Sequence, residues 1–151
     1  MVTALVVILA AVTLVYAISG LGKRKARTAG PPHFCEHGAF DVEVVGEASY
    51  QKTLAAIDAK ICGEKIFQVS VEREPSNPYD PAAIVIKCDG WTCGYLPRAA
   101  AKQWGPAVKS VEASGHTVFC RARLSGGGPD RRYGIWLNLS APESIKPPVP
   151  A

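Results

Sequence analysis

Val71-Glu72-Arg73-Glu74-Pro75-Ser76-Asn77-Pro78-Tyr79-Asp80-Pro81-Ala82-Ala83-Ile84-Val85-Ile86-Lys87-Cys88-Asp89-Gly90-Trp91-Thr92-Cys93-Gly94-Tyr95-Leu96-Pro97-Arg98 reads as a strand, a stiff loop and a hairpin in succession. Lys65 to Arg73 alternates apolar and polar residues, with Phe67, Val69 and Val71 on one parity, which is the period of a half-buried strand. Pro75, Pro78 and Pro81 then exclude an ordered strand, because proline has no N–H for a ladder. Ala82 to Cys88 resumes the strand, Asp89-Gly90 is a strong two-residue hairpin signal, and Trp91 to Leu96 returns as the partner. In such a hairpin Cys88 sits opposite Trp91, and Cys93 shares a face with Ile84 and Ile86.

Outward from this block the pattern continues. Upstream, Phe40 to Val45 alternates as a strand ending at Gly46, and Tyr50 to Ala59 carries Leu54, Ala55 and Ile57 at helical spacing. Downstream, Pro97 opens a helix over Arg98 to Ser114, with Gly105-Pro106 expected to break or kink it after Trp104. His116 to Leu124 and Tyr133 to Leu139 are two more strands around the loop Ser125 to Arg132. Five or six short strands joined mostly by hairpins, with one or two helices, predict a mainly β (α+β) fold, a small mixed antiparallel β-barrel or curled sheet. Trp91, Trp104 and Trp136 are expected to pack in its core or at its edges.

The termini read differently. Val2 to Leu21 contains no charged residue and is long enough, at about 1.5 Å per helical residue, to cross about 30 Å of hydrocarbon. Lys23, Arg24, Lys25 and Arg27 follow it, and by the positive-inside rule they hold that side in the cytoplasm. The expected organisation is a transmembrane helix over 1–21, a basic and Pro/Gly-rich juxtamembrane linker over 22–39, a domain over 40–140 and a proline-rich tail over 141–151. The expected localisation is the cell membrane, single-pass through residues 2–21, with the domain on the cytoplasmic side.

The net charge of +4 belongs entirely to that basic cluster, since residues 28–151 hold 13 basic and 13 acidic side chains. A protein that coats nucleic acid through global positive charge is excluded. Within the balanced part, His33 to Pro97 holds 5 basic and 10 acidic residues and Arg98 to Arg132 holds 7 and 2, so any basic surface comes from the later stretch. The five cysteines are odd in number and irregularly spaced, which argues for reduced thiols. His33, Cys35 and His37 are close in sequence and Cys88 and Cys93 bracket the hairpin turn, but neither spacing matches a standard zinc site. Cys88 and Cys93 read as small core residues, and no cofactor or metal is expected. Gly126-Gly127-Gly128-Pro129 lacks the Lys-Ser/Thr of a phosphate loop, and no Ser/His/Asp set or supported carboxylate pair can be assembled, so no catalytic residues are assigned.

Val44-Val45-Gly46, Tyr50, the run Val71-x-Arg73-Glu74-Pro75-x-Asn77-Pro78-Tyr79-Asp80-x-x-Ala83-Ile84-x-Ile86, and Gly94-Tyr95-Leu96-Pro97-Arg98 followed by Ala101 together resemble the HIRAN domain. That module accompanies helicase-like chromatin and fork-remodelling ATPases in DNA repair, and also occurs alone in bacteria and phages. The resemblance implies an OB-like barrel that binds single-stranded DNA, in the best-known members at a free 3′ end. Tyr50 and Tyr79 match aromatics on which bases stack. Asn77 and Asp80 match the polar pair beside the terminal sugar, with Asp80 accepting a hydrogen bond from the 3′ hydroxyl. Tyr95 falls beside the nucleic-acid backbone, and Arg98 at a phosphate contact.

The same block is also good turn chemistry, in which Asn77 or Asp80 caps its own backbone and Tyr79 covers a barrel edge. Ala48 and Ser49 stand where end-binding members carry an arginine and a further aromatic. A second reading follows from that loss and from the proline-rich tail: a membrane-tethered protein-interaction module, with a protein partner, that has lost DNA binding.

Overall fold

The computed structural model describes residues 30–150. The expected transmembrane helix and the basic part of the linker lie outside them. No helix among the described residues is long and apolar enough to cross a membrane.

The chain runs β1 (Pro32–Phe34), β2 (Val42–Glu43), a 3-10 turn (Glu47–Ser49), α1 (Gln51–Ile61), β3 (Ile66–Arg73), β4 (Ile84–Cys88), β5 (Trp91–Tyr95), α2 (Arg98–Ala113), β6 (Thr117–Ser125), β7 (Gly134–Leu137) and a 3-10 turn (Pro142–Ser144). The strands form one 7-stranded sheet in the order β2-β7-β6-β3-β4-β5. β1 adds in parallel to β6, pairing Pro32 with Thr117 and Phe34 with Phe119, on the side that β7 occupies further along. All other ladders are antiparallel.

The sheet curls far enough for its two edges to meet. Val44 donates to the Ile135 carbonyl at 3.1 Å, and the next residue, Val45, exchanges two backbone hydrogen bonds of 2.8 and 2.9 Å with Tyr95 of β5. One short segment thus joins the β7 edge to the β5 edge, giving the barrel-like fold. Gly94 makes the crossing possible: a Cβ there would lie 2.5 Å from Val44 Cγ1 and 2.8 Å from the Val45 oxygen. The core inside is built from alternate strand residues such as Val69, Val71, Ile84, Ile86, Leu124 and Ile135, with Leu54 and Ile57 of α1 and Val108 and Val111 of α2 packed into it. Alternation along β3 and β6 is therefore the mark of one face turned to a common interior.

The Asp89-Gly90 turn has both residues at positive φ, 49° and 82°, the primed geometry that follows the right-handed strand twist. Cys88 pairs with Trp91 as expected and Cys93 is fully buried, beside a register shift between Ile86 and Lys87.

Several expectations are corrected. The linker assigned to 22–39 ends earlier, since β1 and the buried Cys35 belong to the sheet. Pro32 and Phe34 face outward, so that strand rests on backbone pairing and shows no apolar period. Strand pairing within Phe40 to Val45 begins only at Val42, and Phe40 lies against the Arg123 guanidinium, 4.4 Å from its ring centre. The second helix runs unbroken through Pro106. Pro106 and Lys102, whose carbonyl loses its donor, are both exposed, so that carbonyl lies where solvent can reach it, while Ala101, Val108 and Val111 anchor both halves in the core. The domain extends past 140, because Ile145 of the proline-rich tail is only 5% exposed and joins the core cluster. Trp104 packs against the core and donates to the Ser140 carbonyl at 2.9 Å, whereas Trp91 stands out at the hairpin tip, 70% exposed.

Candidate functional site

Barrel closure determines where the chemistry gathers. The Val45–Tyr95 bridge brings the start of α1 against the end of β5, and the Tyr50 and Tyr95 rings lie 6.4 Å apart at 47°. Across β4 from Tyr95, the loop after β3 folds over its own backbone. Glu74 closes it at both ends, its N–H donating to the Ala83 carbonyl at 2.9 Å and its carbonyl accepting from Asn77 at 2.9 Å.

Asn77 then acts as the turn's internal staple. Its Oδ1 accepts from the backbone N–H groups of Tyr79 and Asp80 at 2.9 and 3.1 Å, and its Nδ2 donates to Glu74 Oε2 at 2.7 Å. Asp80 repeats the device one step on, with Oδ1 accepting from the Ala82 N–H at 2.9 Å. The turn chemistry expected of Asn77 and Asp80 is thus present. Tyr79 does not cover a barrel edge: its side chain projects from the apex and is 89% exposed. Held between two capped residues and two prolines, it is an aromatic face presented to solvent at little further cost in backbone entropy.

Asn77, Tyr79, Asp80, Tyr95 and Arg98 line one cleft of about 240 Å³, with Ala83, Leu96 and Ala101 supplying its apolar wall. Five of the six side chains expected at the site converge, and the sixth, Tyr50, touches the cleft through Tyr95. Arg98, the first residue of α2, is 72% exposed and reaches back to Asp80, Nε to Oδ2 3.3 Å. The cleft therefore combines an exposed aromatic, a carboxylate with one oxygen held by the backbone and the other facing Arg98, and an exposed cation able to meet a phosphate. Ala48 and Ser49 are exposed on the 3-10 turn just before Tyr50 and add neither charge nor ring.

Glu74 is the site residue that sequence reasoning passed over. One carboxylate oxygen, Oε2, accepts from both the Tyr95 hydroxyl, at 3.0 Å, and Asn77 Nδ2, at 2.7 Å. It fixes the cleft's tyrosine to the loop that carries Tyr79. Burial, reinforced by this carboxylate, pushes the Tyr95 phenol well above the usual tyrosine range, so it stays a neutral donor. The signal available in sequence was a glutamate inside a block otherwise made of turn residues.

The basic stretch does not form one surface. Arg98 borders the cleft, with Lys102 a turn further along α2. Arg121 projects outward with Arg123, as their parity requires, but is paired with Glu36 at 3.0 Å, and Arg123 lies on Phe40. Arg131 and Arg132 sit in the β6–β7 loop, across a hollow from Gln51 and Lys52 of α1. That loop is clasped to the helix by Gln51, which donates to the Tyr133 carbonyl and accepts from its N–H, at 3.0 and 2.8 Å.

Cys88 and Cys93 are free thiols, Cys93 in the core and Cys88 at its margin. Among the described residues no three His, Cys, Asp or Glu side chains converge as a metal site would require.

No curated protein and no solved structure matches the chain. The family model of the HIRAN domain matches residues 37–128, which takes in every cleft residue and all elements from β2 to β6. With that match over more than half of its length, the chain belongs to the HIRAN domain family, whose members bind nucleic acid.

Proposed function

We propose that the protein binds single-stranded DNA by a free 3′ end in the Tyr79–Asp80–Tyr95–Arg98 cleft, without catalysis, as a module tethered to the cytoplasmic face of the cell membrane. The observation that carries this is the convergence of those side chains around one apolar-walled cleft, with Tyr79 almost wholly exposed above it. A terminal base stacks on Tyr79, an interaction worth about 1–3 kcal/mol. The terminal hydroxyl donates to Asp80, whose other oxygen is already fixed by the Ala82 N–H. Arg98 meets the adjacent phosphate and, with its charge beside Asp80, offsets the repulsion between that carboxylate and the strand. A hydroxyl suits Asp80 where an internal phosphodiester would not, and this favours end capture over general coating.

The membrane tether rests on the apolar run Val2 to Leu21 and the cations Lys23 to Arg27 after it. Recovery of the protein in the membrane fraction after alkaline washing is the expected result, and release into the wash overturns the tether.

End capture is tested by fluorescence anisotropy of the detergent-solubilised full chain with oligonucleotides that differ only in a 3′ hydroxyl or 3′ phosphate. The hydroxyl strand binds more tightly, and Asp80→Ala abolishes the difference. Equal affinity for the two strands, or no binding to either, overturns the proposal.

A further inference from the structure

A second groove of about 390 Å³ lies between α1 and the tip of the β4–β5 hairpin. Thr53, Ala56 and Ile57 line it on the helix side, Trp91 on the hairpin side, and Lys52 and Lys60 bring the cations. Trp91 is 70% exposed and its indole N–H has no hydrogen-bond partner among the described residues. A tryptophan left this open is unusual, because it forfeits the burial that its large apolar surface would contribute. The hairpin turn does not require it, since the primed geometry is met by Asp89 and Gly90.

We infer that this groove is a second nucleotide subsite, which holds the part of a single strand leading away from the end cleft, with a base stacked on Trp91 and a phosphate on Lys52. The inference rests on the proposed occupancy of the cleft. Three features favour a nucleic-acid strand as the occupant.

The first is continuity. Tyr95 lines the end cleft, Tyr50 lies against Tyr95, and Lys52 is two residues beyond Tyr50 on the helix that borders the groove. Trp91 and Tyr95 are the two ends of β5, about 13 Å apart at about 3.3 Å per residue, a separation that a few nucleotides span. The second is charge. Lys60 is paired with Asp89, but Lys52 has no ion-pair partner among the described residues, and Arg131 and Arg132 flank it across the neighbouring hollow against Asp130 alone. The third is the mixture of rings and cations along that path, Tyr79, Arg98, Tyr95, Tyr50, Lys52 and Trp91, which is the composition that single-strand binding uses.

The test compares the full chain with Trp91→Ala and Lys52→Ala, titrated with 3′-hydroxyl oligonucleotides of about three and about ten nucleotides, lengths on either side of the lower bound for one such barrel. The wild-type protein binds the longer strand more tightly. Trp91→Ala lowers affinity for the longer strand by about 5-fold to 150-fold and leaves the shorter strand unchanged, while Trp91→Phe restores most of the loss. Lys52→Ala lowers the slope of log affinity against log salt by about 0.7 for the longer strand only. Unchanged affinity for the longer strand in both alanine variants overturns the inference, as does an equal loss for both lengths. If neither strand binds the wild-type chain, the end-cleft proposal fails and this one fails with it.

Discussion

Asn77 and Tyr79 are two residues apart in one turn, and their replacement by alanine separates scaffold from contact. Asn77→Ala removes two hydrogen bonds to backbone N–H groups and one to the Glu74 carboxylate. A neutral bond contributes about 1 kcal/mol and one to a charged group about 1.5–3 kcal/mol. Because the turn is partly open to water, which re-solvates the freed N–H groups, the expected loss is about 2–4 kcal/mol. That is a large share of the 5–15 kcal/mol typical of a domain, but the protein still folds. With a urea m-value of about 2 kcal/mol/M, the unfolding midpoint falls by about 1–2 M. Tyr79→Ala touches a side chain that is 89% exposed, so stability changes by less than about 0.5 kcal/mol, while affinity for single-stranded DNA falls by about 1–3 kcal/mol. Urea unfolding followed by circular dichroism, paired with anisotropy on the same preparations, reads both quantities. An Asn77→Ala protein with an unchanged midpoint refutes the account of Asn77 as the staple of the turn. A Tyr79→Ala protein destabilised by more than about 1 kcal/mol refutes the account of Tyr79 as a displayed contact.

Gly94→Ala forces a methyl against Val44 and the Val45 carbonyl, and an overpacking cost of about 1–3 kcal/mol is expected, seen as a lower melting temperature; an unchanged one would mean that the crossing at Val45 is loose. Ile145→Ala costs about 2–4 kcal/mol by the same measurement if the tail segment completes the core, and less than about 0.5 kcal/mol if it does not. Tyr95 makes stability depend on alkaline pH: its phenol is raised in the folded state by burial and then by Glu74, so the folded protein holds the proton more tightly. That contribution is complete below the unfolded tyrosine value of about 10 and declines as pH rises above it. Buried Cys93, pushed up to about 12, adds a decline that begins lower, so the diagnostic quantity is the stability of wild type minus that of Tyr95→Phe, which shrinks above about pH 10. Parallel curves through pH 11 would contradict the half-buried, Glu74-bound phenol.

The hairpin from Ile84 to Tyr95 was legible residue by residue, because a primed turn and a period of two are set by neighbours a few positions apart. The same holds for β3, β6, the first helix and the stiffness of the Glu74 to Pro81 loop. The motif singles out six candidate residues, and five of them line one cleft, but it does not show how they are held. Glu74 ties the Asn77 turn to Tyr95, 21 positions after Glu74, and nothing local to either residue encodes that meeting. The helix through Pro106 was misread for a related reason, since what offsets the lost hydrogen bond is packing on the far side of the helix. The basic excess after Arg98 was real as a count and misleading as a surface, because a helix, a strand face and a loop carry its members to separate places.

The amino-acid sequence by itself determined the local elements, the turn that displays Tyr79 and the family. Tertiary structure alone decided that Val45 closes the barrel on Tyr95, that β1 and Ile145 belong to the domain, and that Trp91 is left facing a groove. Turns and periodicity are written in dihedral preferences and side-chain parity over a few residues. Closure, burial of the ends and the shape of a cleft depend on segments far apart in sequence, and their energies exist only once the chain has brought those segments into contact.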